Sequence, residues 1–196
     1  MLYSNRELLN KKGYETKSLM KLLGNRLLQE PMTRVLEAGH GNSSLLHSLK
    51  VPTKYAFDKI GSDEFRDGIH FFNHDACTEF PYKDHDLIID SHLAHCLRNE
   101  QEIIDYFTNC FHSLKEGGFL VSQMMIRSKN FESYFAGKDT SMRTILNAQS
   151  IEKILLEIGF KIEYFYIPYG RRFILENHLD IDERFHPDVL EFIAKK

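Results

Sequence analysis

From residue 33 onward, short apolar runs alternate with amphipathic stretches. Arg34-Val-Leu-Glu-Ala38 predicts a strand, followed by a glycine turn and a short helix carrying Leu45, Leu46 and Leu49. Residues 54–58, 69–72, 86–90 and 119–124 read as four further strands. Ile103, Ile104, Phe107, Phe111 and Leu114 recur at helical spacing and predict a helix ending at Gly117-Gly118. Ile151, Ile154, Leu155 and Ile158 predict another, stopped at Gly159. Residues 160–167 alternate as a strand, Pro168-Tyr169-Gly170 form a turn, and 172–175 read as a strand again. No helix fits between these two strands, so the sheet is expected to close with an antiparallel hairpin. Upstream, Ser4-Asn-Arg-Glu7 has the form of a capping box opening a first helix, and Leu19, Leu22, Leu23, Leu27 and Leu28 mark a second. The tail from His178 is expected to add a helix near Pro187, a first-turn residue.

Strands alternating with helices predict an α/β sheet of seven strands, mostly parallel, with helices on both faces. A chain of 196 residues supports one core, so a single domain is expected. Its parts would be a helical lid over 1–30, a core over 31–176 and an extension over 177–196.

Charge narrows the partners. The formal net charge is −3, which gives no reason to expect nucleic acid as a partner. Arg6, Lys11, Lys12, Lys17, Lys21 and Arg26 make only the N-terminal segment basic, and RNA docking there is an alternative. No apolar stretch nears the roughly 20 residues that span a bilayer, so no membrane association is expected. Three cysteines without a CxxC pair suit a reducing compartment, and a cytoplasmic location is expected.

Two stretches carry candidate chemistry. Gly39-His40-Gly41 follows a strand directly, a pattern that allows a tight turn and close ligand approach. Asp58 ends the next strand about 20 residues later, where dinucleotide folds place a ribose-binding carboxylate. Against a nicotinamide or flavin, Ser44 stands in place of a third glycine, and Glu37 would oppose a pyrophosphate. The second stretch is Asp90-Ser-His-Leu-Ala-His-Cys96. Zinc would need about four converging ligands, and the other histidines are scattered, so no metal is expected. If a helix begins near His92, His92 and His95 share a face, and one imidazole could take a proton near neutral pH. Cys96 is expected to be buried at that helix start. Arg127, after the fifth strand, and Tyr169, at the last turn, are candidate substrate contacts.

VLEAGHGNS resembles the first motif of the class I S-adenosylmethionine-dependent methyltransferases. The resemblance runs over residues 33–176: AFD at 56–58, HDA at 74–76, DLIIDSHLAH at 86–95, LKEGGFLV at 114–121 and LLEIGFKI at 155–162. Glu116 departs from the usual proline, and DSHL stands where amino-methylating nucleic-acid enzymes carry N-P-P-Y. The resemblance implies a Rossmann-like methyltransferase sheet and the cofactor S-adenosyl-L-methionine, released as S-adenosyl-L-homocysteine. It implies that Gly39, His40 and Gly41 pass under the methionine part and that Glu37 meets its amino end. Asp58, with Lys59 beside it, would face the ribose, and Asp75 and Ala76 the adenine. Asp90, Ser91 and His92 would lie beneath the sulfonium, with His92 or His95 as base. The expected reaction is methyl transfer to O, N or S of a small-molecule acceptor, by a monomer or homodimer. A regulatory domain that binds the cofactor without turnover is the other alternative.

Overall fold

The computed structural model describes Leu23 and residues 31–41, 44–61, 63–127, 144–167 and 188–196. Apart from Leu23, the expected lid over 1–30 lies outside these residues, as do the turn at Tyr169 and the strand at 172–175. Eight strands form one sheet among them: β1 (Arg34–Ala38), β2 (Thr53–Asp58), β3 (Glu64–Arg66), β4 (Ile69–Asn73), β5 (His85–Ser91), β6 (Leu114–Ile126), β7 (Lys161–Tyr166) and β8 (Asp188–Lys195). Their spatial order is β3-β4-β2-β1-β5-β6-β8-β7. The central strands β4, β2, β1, β5 and β6 run parallel, whereas β8 is antiparallel to both neighbours. The eighth strand is the short β3, which folds back on β4 at the sheet edge.

Among the described residues, two α-helices cover one face: α1 (Glu100–Ser113) and α2 (Ala148–Ile158). Asn99 caps α1 by accepting from the Glu102 amide at 2.9 Å, and Glu102 reaches back to the Arg98 amide at 2.9 Å. Asn147 caps α2 from the Ser150 amide, and the helix stops at Gly159, as the sequence predicts. Ile103, Phe107, Ile154 and Leu155 pack there on Leu36, Ile88, Leu120 and Phe192. The opposite face carries Val35, Leu87, Ile89, Val121 and Ile193 under Leu23, Leu45 and Leu46. Strands buried on both faces need near-continuous apolar runs. Each fully buried Leu or Ile contributes about 1.5–3 kcal/mol.

Four expectations are corrected. The helix expected after the glycine turn is one 3-10 turn, Leu45–Ser48, because β2 already begins at Thr53 and leaves no room for a second turn. Helix α1 ends at Ser113 rather than Gly117-Gly118, since Leu114 already pairs with His85 as strand. Gly118 serves a close crossing instead: a Cβ there would lie 2.8 Å from the His85 carbonyl. The helix expected near Pro187 is strand β8, wedged between β6 and β7. Its Leu190, Phe192 and Ala194 face the helices, and Ile193 faces the other layer. No α-helix begins near His92 either, as the site makes plain.

Candidate active site

All five parallel strands end at one sheet edge, where open α/β sheets bind their ligands. The loop after β1 is pinned there by the last two residues of β2. The amides of Gly39 and His40 donate to the Phe57 carbonyl at 2.8 and 3.2 Å, and the Gly41 amide donates to Asp58 Oδ2 at 2.8 Å. Gly39 has φ +71°, and a Cβ on it would sit 2.9 Å from Leu93 Cβ. That position requires glycine twice over, for conformation and for space.

Glu37 is fully buried and holds the far end of the loop. Its Oε2 accepts from Ser44 Oγ at 2.5 Å and from the Leu45 amide at 3.0 Å. His40 turns away from the helix-covered face, its ring edge-on to Phe71 at 4.9 Å.

A cleft of about 390 Å³ opens beside the loop, large enough for a small ligand. Gly39, Asp58, Lys59, Asp75, Ala76 and Leu93 are among its walls. Asp75 ends up in a turn, its Oδ1 accepting from the Cys77 amide at 3.1 Å and its Oδ2 from Lys59 Nζ at 2.6 Å. The Lys59 ammonium, then the Cys77 amide, hold the Asp75 carboxyl below the usual range. Burial, then the Asp75 charge, pushes the Cys77 thiol up to about 11, so it is no nucleophile near neutrality.

The 90–96 stretch folds in an unforeseen way. Asp90 is buried, its Oδ1 accepting from the Leu93 amide at 2.7 Å and its Oδ2 from Ser122 Oγ at 3.0 Å. Burial, then the Asp90 charge, raises both the Tyr106 hydroxyl and the Cys110 thiol well above their ordinary values. His92 takes a left-handed φ of +72°, which breaks any helix at its start, and a 3-10 turn over Ala94–Cys96 follows. The tighter turn buries His95 and exposes Cys96, the reverse of the expected burial. The two imidazoles still meet, edge to face with centroids 5.4 Å apart.

His95 Nδ1 accepts from the Met125 amide at 3.3 Å. His92 Nε2 lies 3.3 Å from Gln123 Oε1, and Gln123 Nε2 donates to Glu191 Oε1 at 2.9 Å. Gln123 and Glu191 escape the sequence reading, because their significance comes from β8 pairing with β6. Ser91, the last residue of β5, pairs with Gln123 in register. Arg127 is exposed just past β6, and its amide donates to the Leu146 carbonyl at 2.8 Å. Tyr169 lies outside the described residues. Among the described residues, no group of three or more His, Cys, Asp or Glu is placed to hold a metal ion. No helix among them is long and apolar enough to cross a membrane.

No protein-family model matches the sequence, and no curated protein does. Solved structures do match in three dimensions. The N-methyltransferase NodS of Bradyrhizobium japonicum, in complex with S-adenosyl-L-homocysteine, superposes with TM-score 0.63 at 15% identity, over 92% of this chain and 86% of that one. The 1,6-didemethyltoxoflavin-N1-methyltransferase of Burkholderia thailandensis gives TM-score 0.68 at 14% identity, over 99% and 83%. This is the fold of the class I S-adenosylmethionine-dependent methyltransferases. A third match to the methyltransferase fold is the [4+2]-cyclase SpnF, with TM-score 0.67 at 15% identity, over 91% and 80%. The fold therefore does not dictate the reaction, and the site residues have to.

Within the methyltransferase fold, the residues present fit the nucleoside end of the cofactor. A carboxylate keeps acceptor capacity beyond one or two bonds, so Asp58 can hold Gly41 and still accept from ribose hydroxyls. Asp75 must share its carboxylate with Lys59. Glu37 braces the loop through Ser44 and Leu45, both on Oε2.

Proposed function

We propose that this chain is an S-adenosylmethionine-dependent methyltransferase acting on a small-molecule acceptor. The observation that carries the reading is the Asp58–Gly41 bond. It sets a ribose-binding carboxylate and a backbone-open glycine loop against one cleft at the carboxyl ends of the strands. When bound, the cofactor supplies a methyl group on a positively charged sulfur. Asp58 orients the ribose, Asp75 and Ala76 meet the adenine, and the loop from Gly39 to Gly41 passes beneath the methionine part. Leu93 closes the floor against Gly39. The protein contributes chiefly alignment, which can supply several kcal/mol of a bimolecular barrier.

His92 removes the acceptor's proton in this reading. His95 is buried with Nδ1 on the Met125 amide, which assigns it to holding the turn. The structural neighbour that holds 1,6-didemethyltoxoflavin, a small-molecule acceptor, supports the acceptor class.

Thermal shift and calorimetry with S-adenosylhomocysteine test cofactor binding; stabilisation by NADH instead would overturn it. Incubating cell extract with methyl-labelled cofactor and the enzyme then identifies the metabolite that gains label. A chain that binds the product but labels nothing is a binding domain, and label in RNA would shift the acceptor class.

A further inference from the structure

The mechanism leaves one buried polar chain unused. Gln123 and Glu191 are both nearly inaccessible, on adjacent strands and directly opposite in register. Buried polar groups are retained at a penalty unless fully paired. The order of the pairing carries information. A carboxylate only accepts, so Glu191 obliges Gln123 to turn its amide N–H toward it. The amide oxygen of Gln123 then faces His92 Nε2 at 3.3 Å. That oxygen also only accepts, so Nε2 must donate. The amide of His92 donates to the Gln123 carbonyl at 3.1 Å, which fixes the ring's backbone to the same residue.

We infer that Glu191, acting through Gln123, fixes His92 in its Nε2-protonated tautomer, which leaves the basic lone pair of the ring on the buried Nδ1. This deepens the methyl-transfer reading and rests on it only for what Nδ1 is used for. Glu191 and Gln123 are positioning residues, touching neither cofactor nor acceptor. Without the carboxylate, the Gln123 amide can reverse, present N–H to Nε2, and favour the opposite tautomer. Each state of the amide selects one state of the ring, as second-sphere carboxylates do for metal-bound histidines.

The test reads the ring directly and requires no acceptor. Long-range proton–nitrogen spectra of 15N-histidine-labelled protein report the tautomer of each ring, with His92 identified by the signal lost in His92→Gln. Wild type is expected to show His92 as the Nε2–H form by at least about tenfold, the ratio that 1.4 kcal/mol enforces. Glu191→Gln should mix the two tautomers. The swap Gln123→Glu with Glu191→Gln rebuilds the chain with the carboxylate beside His92 and should restore the Nε2–H form. An Nδ1–H form in wild type overturns the inference whatever the variants do. So does an unchanged spectrum in folded Glu191→Gln. Calorimetry with S-adenosylhomocysteine on wild type runs alongside. Loss of that binding defeats the methyltransferase reading, while the tautomer result still decides the role of Glu191.

Discussion

Asp58 Oδ2 accepts from the Gly41 amide at 2.8 Å, so the end of β2 holds the loop that leaves β1. One carboxylate thus shapes the loop and faces the cleft. Asp58→Asn keeps an oxygen for Gly41 but loses the charge. S-adenosylhomocysteine affinity should fall about tenfold or more, given 1.5–3 kcal/mol for a hydrogen bond to a charged group. Asp58→Ala should lower Tm as well, by releasing the loop. Calorimetry and thermal melts of both variants check this, and unchanged affinity in Asp58→Asn would remove Asp58 from the ligand site.

Gly39→Ala should be severe. The added methyl meets Leu93 Cβ at 2.9 Å and the backbone is left-handed. The conformation alone costs about 1–2 kcal/mol. Pairing it with Leu93→Ala should relieve the clash and leave the conformational part, so the double variant melts above Gly39→Ala. If the double variant melts no higher, the steric account is wrong.

Much of this was legible in the sequence because it is local. The strands β1, β2, β4 and β5, the apolar face and stop of α2, and the glycine loop with Asp58 all follow from period and turn chemistry. What stayed hidden depends on distant partners. Val189-Leu-Glu-Phe-Ile-Ala194 is a short apolar run that periodicity cannot assign to helix or strand. Only its place between β6 and β7 makes it a strand, and only then do Glu191 and Gln123 meet. His92 was hidden differently: nothing in Asp-Ser-His-Leu announces a left-handed histidine, though Asp90 accepting from the Leu93 amide shows how the turn is held.

Ending the chain after residue 187 should abolish folding. It deletes buried Leu190, Phe192, Ile193 and Ala194 from between β6 and β7 and strands β7 without a neighbour. A dispensable C-terminal extension would leave the melt unchanged, whereas circular dichroism should show the cooperative transition lost.

Acid should destabilise the protein in two separate windows. His85 is fully buried at the start of β5, and burial, with Arg34 nearby, pulls its pKa from 6.5 down to about 4. Above pH 6.5 the ring is neutral folded or unfolded, so it contributes no pH dependence. Below 6.5 the unfolded chain takes a proton that the folded one refuses, and up to about 3 kcal/mol is lost by pH 4. Asp86 works lower. Burial alone would raise its carboxyl, but bonds from Lys115, the Thr33 amide and the Arg34 amide outweigh that and hold it well below the usual range. Its contribution is intact above pH 3.8 and lost as pH falls beyond that. Tm measured from pH 7 to 3 should decline in both windows, and His85→Phe should flatten the upper one alone.

The placement of β8 also bears on how the protein is made. β7 leaves the ribosome before the strand that will hold it, and until β8 arrives the hydrogen-bonding edge of β6 stands open. An open edge pairs readily with strands of other chains. A nascent chain paused before residue 188 is therefore an aggregation hazard, and the step that ends the hazard is the same one that delivers Glu191 to Gln123.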